Sequence, residues 1–423
     1  MIDRRAFLKS SGLALLASGL GGCPLFLGRS AQASAAPGLF QRRKTLVCLF
    51  QRGAMDGLAA VQPLVDPQLQ RVRPSLTLSG ARNAERQLLD LDGTYGLHPA
   101  LSPLARFFEE QRLAIVHGVG SPNTTRSHFD AQDYMETGTP GRKASSGWLN
   151  RAVGLAGHEA TPFQAVALTP ALPRSLFGPS NALSIAKLED FGLHVRGADL
   201  AMTAGQSLEA LYEQTTRSLL GQDDALTQAG RDGLDAARLL QEADLGNYRP
   251  ENGAEYPRSK LGQALRQIAQ LIKLDVGLEV AFAEQGGWDT HVRQGGEVGS
   301  FARQATDLAH SLAAFWTDLE RHHDDVTVMT MTEFGRTVAE NGARGTDHGR
   351  ASAMFVLGNG VAGGRVHGQP LVLDPDALED GRDLPVTTDF RAVFAGVAGP
   401  TLGIADDRTL FPDWSGERMR LTG

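Results

Sequence analysis

Cysteine is nearly absent: Cys23 and Cys48 are the only 2 in 423 residues. That excludes a disulfide framework. Cys23 falls in a segment expected to be removed, and Cys48 lies inside an apolar run, where a lone thiol acts as a small buried hydrophobe. Long basic runs are missing as well. With a formal net charge of -7, nucleic acid is not an expected partner. No internal repeat is evident, which removes solenoids and propellers. The apolar run Leu13 to Leu27 is short and broken by glycines, so no stable transmembrane segment is expected once the signal has gone.

What remains is an ordinary soluble composition, 42% hydrophobic and 21% charged, with ample material for a core. The length allows one large α/β domain or two smaller ones. The N-terminus reads as an address. Asp3 to Lys9 carries the paired arginines of a twin-arginine export signal, and Ala31-Gln32-Ala33 offers a small-x-small cleavage site after the apolar run. Removal of residues 1–33 is the expectation, with a polar linker at 34–43. Lipidation at Cys23, within Leu20-Gly21-Gly22-Cys23, is the alternative. Twin-arginine export carries proteins that fold before crossing, often around a cofactor. The expected location is the periplasm or the outside of the cell.

The chemistry gathers between Val326 and Gly349. Val326 to Thr332 is β-branched and apolar almost throughout, as a buried parallel strand is. It delivers Glu333, Phe334, Gly335 and Arg336 to its C-terminal end, and a glycine-rich loop then presents Asp347 and His348. In open α/β sheets, ligands bind outside those strand ends. Other strands are expected at Thr45 to Phe50, Leu113 to Val116, Gln164 to Leu168, Ala182 to Ile185, Leu278 to Ala283 and Ala353 to Gly358. Apolar residues at helical spacing predict helices over Pro99 to Glu110, Lys260 to Leu274 and Glu297 to Glu320. Residues 64 to 96 read as an excursion with little chemistry. A late helix, Thr388 to Val397, is expected to be capped by Thr387 or Thr388. Ser127 with Asp130 fits a capping signature for a helix running to about Glu136. His310, His322 and His323 read as surface or helix-end residues.

Strand and helix alternate in the rhythm of a mostly parallel sheet with helices on both faces. Polar residues recur at the strand ends. Asp56 follows the first strand and serves either as a ligand or as a helix cap. Ser127, beside Arg126, is either a cap or a hydroxyl poised at a helix N-terminus, a place that suits an anionic ester. Asp289 and His291 follow the strand at 278–283.

Four motifs carry a family resemblance: TTRSHFDAQDYMETG (124–138), GGWDTH (286–291), TEFGRT (332–337) and GTDHGR (345–350). Together they resemble a family of exported bacterial proteins of unknown function, domain of unknown function 1501, placed near the alkaline phosphatase and sulfatase superfamily. The resemblance spans nearly the whole mature chain. It implies an alkaline-phosphatase-like α/β/α sandwich over residues 44–423, with a helical insert at about 200–257. It also implies hydrolysis or transfer of phosphate or sulfate esters by a metal-assisted hydroxyl. By position, Asp56 matches the carboxylate after the first strand, and Ser127, or failing it Thr125, matches the nucleophile. Asp289 and His291 resemble the aspartate-histidine pair of one metal site. Glu333 stands at the late-strand aspartate, and His348 resembles the final ligand histidine. Arg126 or Arg336 is the candidate anion clamp. Mixed imidazole and carboxylate ligands suit zinc, manganese or another divalent ion.

Three departures stand beside this. Phe334 occupies the place of a histidine, Asp289 and His291 are closer together than in the superfamily, and Glu333 is longer than aspartate. One metal site has therefore lost a ligand or been rebuilt, with Asp347 as the candidate substitute. Ser127 is followed by His128-Phe129-Asp130 and not by a formylglycine motif, which argues against sulfatase activity. Two functions follow as expectations. One is a metal-dependent hydrolase or transferase of a small anionic ester. The other is a non-catalytic secreted binding or assembly protein that uses the same fold on a protein partner.

Overall fold

The computed structural model describes residues 43–80, 87–158, 161–190, 236 and 247–422. The signal segment with Cys23, the linker up to residue 42, and all of the expected insert between 200 and 246 except Ala236 lie outside the described residues.

Among the described residues there are twelve strands: β1 (Thr45–Gln51), β2 (Val61–Pro63), β3 (Leu89–Asp90), β4 (Tyr95–Leu97), β5 (Leu113–Gly120), β6 (Ala165–Ala167), β7 (Leu183–Ser184), β8 (Val280–Gln285), β9 (Val326–Met331), β10 (Ser352–Leu357), β11 (Arg365–His367) and β12 (Thr388–Asp389). Five helices have eight residues or more: α1 (His128–Thr137), α2 (Trp148–Leu155), α3 (Lys260–Lys273), α4 (Ser300–Asp318) and α5 (Phe390–Leu402). The main sheet has the order β11-β5-β10-β9-β1-β8-β6-β7, with β12 also on β5. Its pairs are parallel except those of β10, which runs against β5 and β9. β1 lies at the centre, with Cys48 beside Met329 on β9 and Phe282 on β8.

Side chains alternate across that sheet, as the period of two requires. Val47 and Leu49 enter one apolar core, closed by Leu265 and Ile268 of α3, Leu308 and Phe315 of α4, and Phe107. Leu46, Cys48 and Phe50 enter the other, closed by Trp148 of α2 and Val393 and Phe394 of α5. Helices therefore cover both faces, and the architecture is a three-layer α/β sandwich around a mostly parallel sheet. Cys48 is fully buried and unpaired, and burial pushes its thiol far up.

Several boundaries differ from the sequence expectation for local reasons. The 99–110 segment splits into a 3-10 turn, Pro99–Leu104, and a short α-helix, Ala105–Glu109. Pro103 inside the first piece has no N–H for a continuous helical ladder. The late helix starts at Phe390, capped by Asp389, whose side chain accepts from the Arg391 N–H. Of the two residues expected as the cap, Thr388 pairs with β5 and Thr387 donates its N–H to the Gly118 carbonyl.

One buried carboxylate fastens the end of the expected insert. Asp318, at the end of α4, accepts from the Tyr248 hydroxyl at 2.6 Å, the Tyr256 hydroxyl at 2.8 Å, the Glu251 N–H at 2.7 Å and Lys273 Nζ at 2.5 Å. Burial alone raises a carboxyl, but these donors outweigh it and hold Asp318 below its ordinary value of 3.8. A depressed carboxyl contributes stability that is complete above the unfolded value and is lost as pH falls through the folded one. Asp318→Asn is therefore expected to cost ~1–3 kcal/mol at neutral pH. It should also flatten the loss of stability below pH 3.8, measured by urea unfolding across pH.

Candidate metal centre

β1, β8 and β9 end at one edge of the sheet, and β10, running the other way, begins there. The loops that leave these strands converge with the N-terminus of α1. Gly335 permits the closest approach: a Cβ there would lie 1.8 Å from the Ala351 carbonyl oxygen. Gly345 does the same beneath His291, where a Cβ would lie 2.2 Å from the His291 oxygen.

Glu333, just beyond β9, is wholly buried. Its Oε1 accepts from the Gly53 N–H at 2.9 Å, Gln132 Nε2 at 2.9 Å and His128 Nδ1 at 2.8 Å. Burial raises its carboxyl, but the donors, His128 foremost among them, win and hold it below its ordinary range. The same hydrogen bond to Glu333 raises His128.

Around His128 stand three more donors. His128, Asp289 and His348 offer ligand atoms that all lie within 4.8 Å of one another. Asp289 Oδ1 is 3.5 Å from His128 Nε2, 3.3 Å from His348 Nε2 and 3.1 Å from His291 Nε2. His291 Nε2 and His348 Nε2 are 2.9 Å apart. In all three histidines Nδ1 faces outward to an oxygen: Glu333 Oε1 for His128, Asp347 Oδ1 at 2.9 Å for His291, and the Arg126 carbonyl at 2.9 Å for His348.

Those partners assign the tautomer. A neutral imidazole carries one N–H, and each outward oxygen requires it at Nδ1. Every Nε2 then presents a lone pair inward. Two lone pairs 2.9 Å apart repel unless a cation or proton lies between them. His128 Nε2 is buried and has no hydrogen-bond partner of its own. An inward Nε2 with an outward Nδ1–H to carboxylate or carbonyl is how metal-ligating histidines are oriented. The residues His128, Asp289 and His348 therefore fit a divalent cation, with His291 Nε2 beside them. Asp289 is held below its ordinary range. Burial opposes this, and the Arg336 guanidinium, 2.5 Å away, and the imidazoles overcome it. Burial lowers His348, which favours the neutral ring.

The sequence-predicted residues fall into three groups. Asp289, His291 and His348 meet at the centre. Glu333 and Asp347 stand one shell out, each behind a histidine, because their oxygens receive Nδ1–H groups. Asp56, Arg336 and Arg126 are engaged elsewhere. Of the two roles open to Asp56, the structure has the cap: it accepts from the Ala59 N–H at 3.1 Å. Its oxygens also bind Arg73 at 2.8 and 3.2 Å and Gln294 at 2.6 Å. Arg73 comes from the excursion that reads as empty of chemistry. It is buried and requires that carboxylate.

Arg336 is no anion clamp. It donates to the carbonyls of Gly53, Ala54, Trp288 and Thr346 and to Asp289, and it is 1% exposed. Arg126 donates to Asp383 and Asp380. Ser127 occupies the cap position of α1, but its side chain makes no capping hydrogen bond. Phe334, at the place of the missing histidine, packs its ring 5.0 Å from both His128 and His348.

His128 is not among the site residues expected from the sequence. A signal was there: His128 and Gln132 are four residues apart, one face of the helix that Ser127 starts, and both reach Glu333.

The sequence matches the family described as "Protein of unknown function (DUF1501)" over residues 114–413. No curated protein matches it. Among solved structures it is similar to Ps i-CgsB in complex with k-i-k-neocarrahexaose. The TM-score is 0.39 at 9% identity, covering 88% of this chain and 74% of that one. It is also similar to the lipoteichoic acid synthase LtaP from Listeria monocytogenes, with TM-score 0.29, 9% identity, and 75% and 66% covered. A TAB5 alkaline phosphatase variant with Mg bound gives TM-score 0.27, 11% identity, and 76% and 93% covered.

Proposed function

Because the chain belongs to the family of proteins of unknown function DUF1501, we propose a function from its own side chains: a metal-dependent hydrolase or transferase of phosphate or another anionic ester. The observation that carries this is the convergence of His128 Nε2, His348 Nε2 and Asp289 Oδ1, with His291 Nε2 beside them and each imidazole fixed from behind by an oxygen. Donors of this kind suit zinc, manganese or a similar ion. A bound divalent ion supplies a lowered hydroxyl pKa and offsets charge developing on the transferred group. The remaining work falls to the chain. His128, His348 and Asp289 would hold the ion, with His291 beside them. Glu333 and Asp347 hold two of the rings in their tautomer. Ser127, next to His128 and free of a capping bond, is the nucleophile candidate, and the N–H groups at the start of α1 suit the anion it attacks.

Export by the twin-arginine route to the periplasm or beyond, with lipid anchoring at Cys23 as the alternative, completes the reading. Among the described residues no helix is long and apolar enough to cross a membrane.

A second reading, a non-catalytic binding or assembly protein, is favoured by one observation: both arginines offered as anion clamps are committed to acceptors within the protein. Elemental analysis of the protein exported from its native host tests the first reading. At least one tightly held divalent ion per chain is expected. A metal-free, stably folded protein sinks it. Ser127→Ala separates the two readings: it is expected to abolish turnover of a phosphate or sulfate ester while retaining the ion. A variant that works normally supports the binding protein.

A further inference from the structure

We infer that Gln132 is a positioning residue of this centre, its amide polarity dictated by Arg52. The inference rests on the metal-dependent reading above. Arg52 follows β1 and donates from Nη1 to Gln132 Oε1 at 3.0 Å. The same guanidinium binds Glu136 at 3.0 Å and Glu284 at 2.5 Å, so it is held from two sides. A guanidinium only donates. Gln132 must therefore give its carbonyl to Arg52 and turn its NH2 toward Glu333 Oε1, 2.9 Å away.

His128 and Gln132 lie one turn apart on α1, and both donate to that single oxygen, His128 at 2.8 Å. The Gly53 N–H supplies a third donor to it at 2.9 Å. Held by three donors, the carboxylate oxygen cannot swing away from His128. The imidazole is then fixed with Nε2 toward Asp289 and His348. Arg52, Gln132 and Glu333 thus form a chain in which only the last member touches a ligand residue. Gln132 acts through two hydrogen bonds without reaching the ion. Outer partners of metal ligands typically govern affinity by ~10–100-fold.

Two variants of the full chain test this with Co²⁺ alone as the probe. Gln132→Met keeps the volume and removes both hydrogen bonds. Gln132→Glu keeps the shape and the Arg52 contact but sets a second carboxylate against Glu333. The Kd for Co²⁺ is expected to rise ~10–100-fold in Gln132→Met, and further in Gln132→Glu. The visible absorption of bound Co²⁺ is also expected to change, a readout that lost packing away from the centre does not move. His348→Ala, measured in parallel, is expected to bind no Co²⁺ at the site. If both Gln132 variants bind like the wild type while His348→Ala does not, Gln132 is only a filler and the metal reading stands. If His348→Ala binds as tightly as the wild type, the metal reading fails and takes the role of Gln132 with it. Should Gln132→Glu fail to fold by circular dichroism, Gln132→Met decides alone.

Discussion

His128→Ala is expected to lower divalent-ion affinity by at least ~100-fold, as far as His348→Ala does, because it removes a ligand and not an outer partner. Its Nε2 is the buried atom with no other partner, aimed at Asp289 and His348. The contrast is Asp56→Ala, which leaves His128, Asp289 and His348 in place. That variant leaves the buried Arg73 guanidinium with the Val338 and Thr337 carbonyls but no carboxylate, and is expected to cost ~3–5 kcal/mol of stability with the ion still bound. Isothermal titration with Zn²⁺ and urea unfolding of the metal-free chain separate the two effects. An Asp56→Ala protein that folds normally and has lost the ion would return Asp56 to the ligand list. The pH dependence follows from the same contacts. Binding needs a neutral Nε2, so ion and proton compete for it. The hydrogen bond to Glu333 raises His128 above its ordinary value of 6.5. Affinity is therefore complete above that raised value and declines as pH falls through it. Glu333→Gln should move the decline to lower pH.

Arg336→Met is expected to destabilise the metal-free chain by at least ~4 kcal/mol, since each buried acceptor left unpaired costs ~1–3 kcal/mol. The guanidinium joins the turn after β1 at Gly53 and Ala54, the loop after β8 at Trp288 and Asp289, and the loop before β10 at Thr346. Gln294 also links these segments through Asp56, Thr290 and Thr346, but it reaches none of the carbonyls that Arg336 satisfies, and a methionine of similar length offers them no donor. Unfolding in urea gives the measurement. A loss below ~1 kcal/mol would mean that water replaces the guanidinium. An anion clamp would behave otherwise, with unchanged stability and weaker binding of phosphate. Arg336 is thus a hub that holds the site's loops in register, and any effect of its loss on turnover is expected to follow the loss of fold.

Periodicity and residue type determined much of this protein. The buried strands around Cys48, Phe282 and Met329, the amphipathic helices α3 and α4, and the two-faced sheet are legible because each side chain's face follows from spacing along one segment. The collection of Asp289, His291, Glu333 and His348 at one sheet edge follows as well, since parallel strands all end there. The reversed β10 was not legible. A strand buried on both faces reads alike in either direction, and only its partners fix the sense.

The division of labour within the cluster was also decided by tertiary contacts. A sequence shows that carboxylates, imidazoles and guanidiniums are present, but not which lone pairs are already occupied. Glu333 and Asp347 became supports because an Nδ1–H meets each of them. Asp56 left the centre because a distant arginine, Arg73, lies against it. His128 entered because the first turn of α1 lands on Glu333. Hydrogen-bond saturation is a property of neighbours brought together by the fold, and spacing along the chain does not encode it.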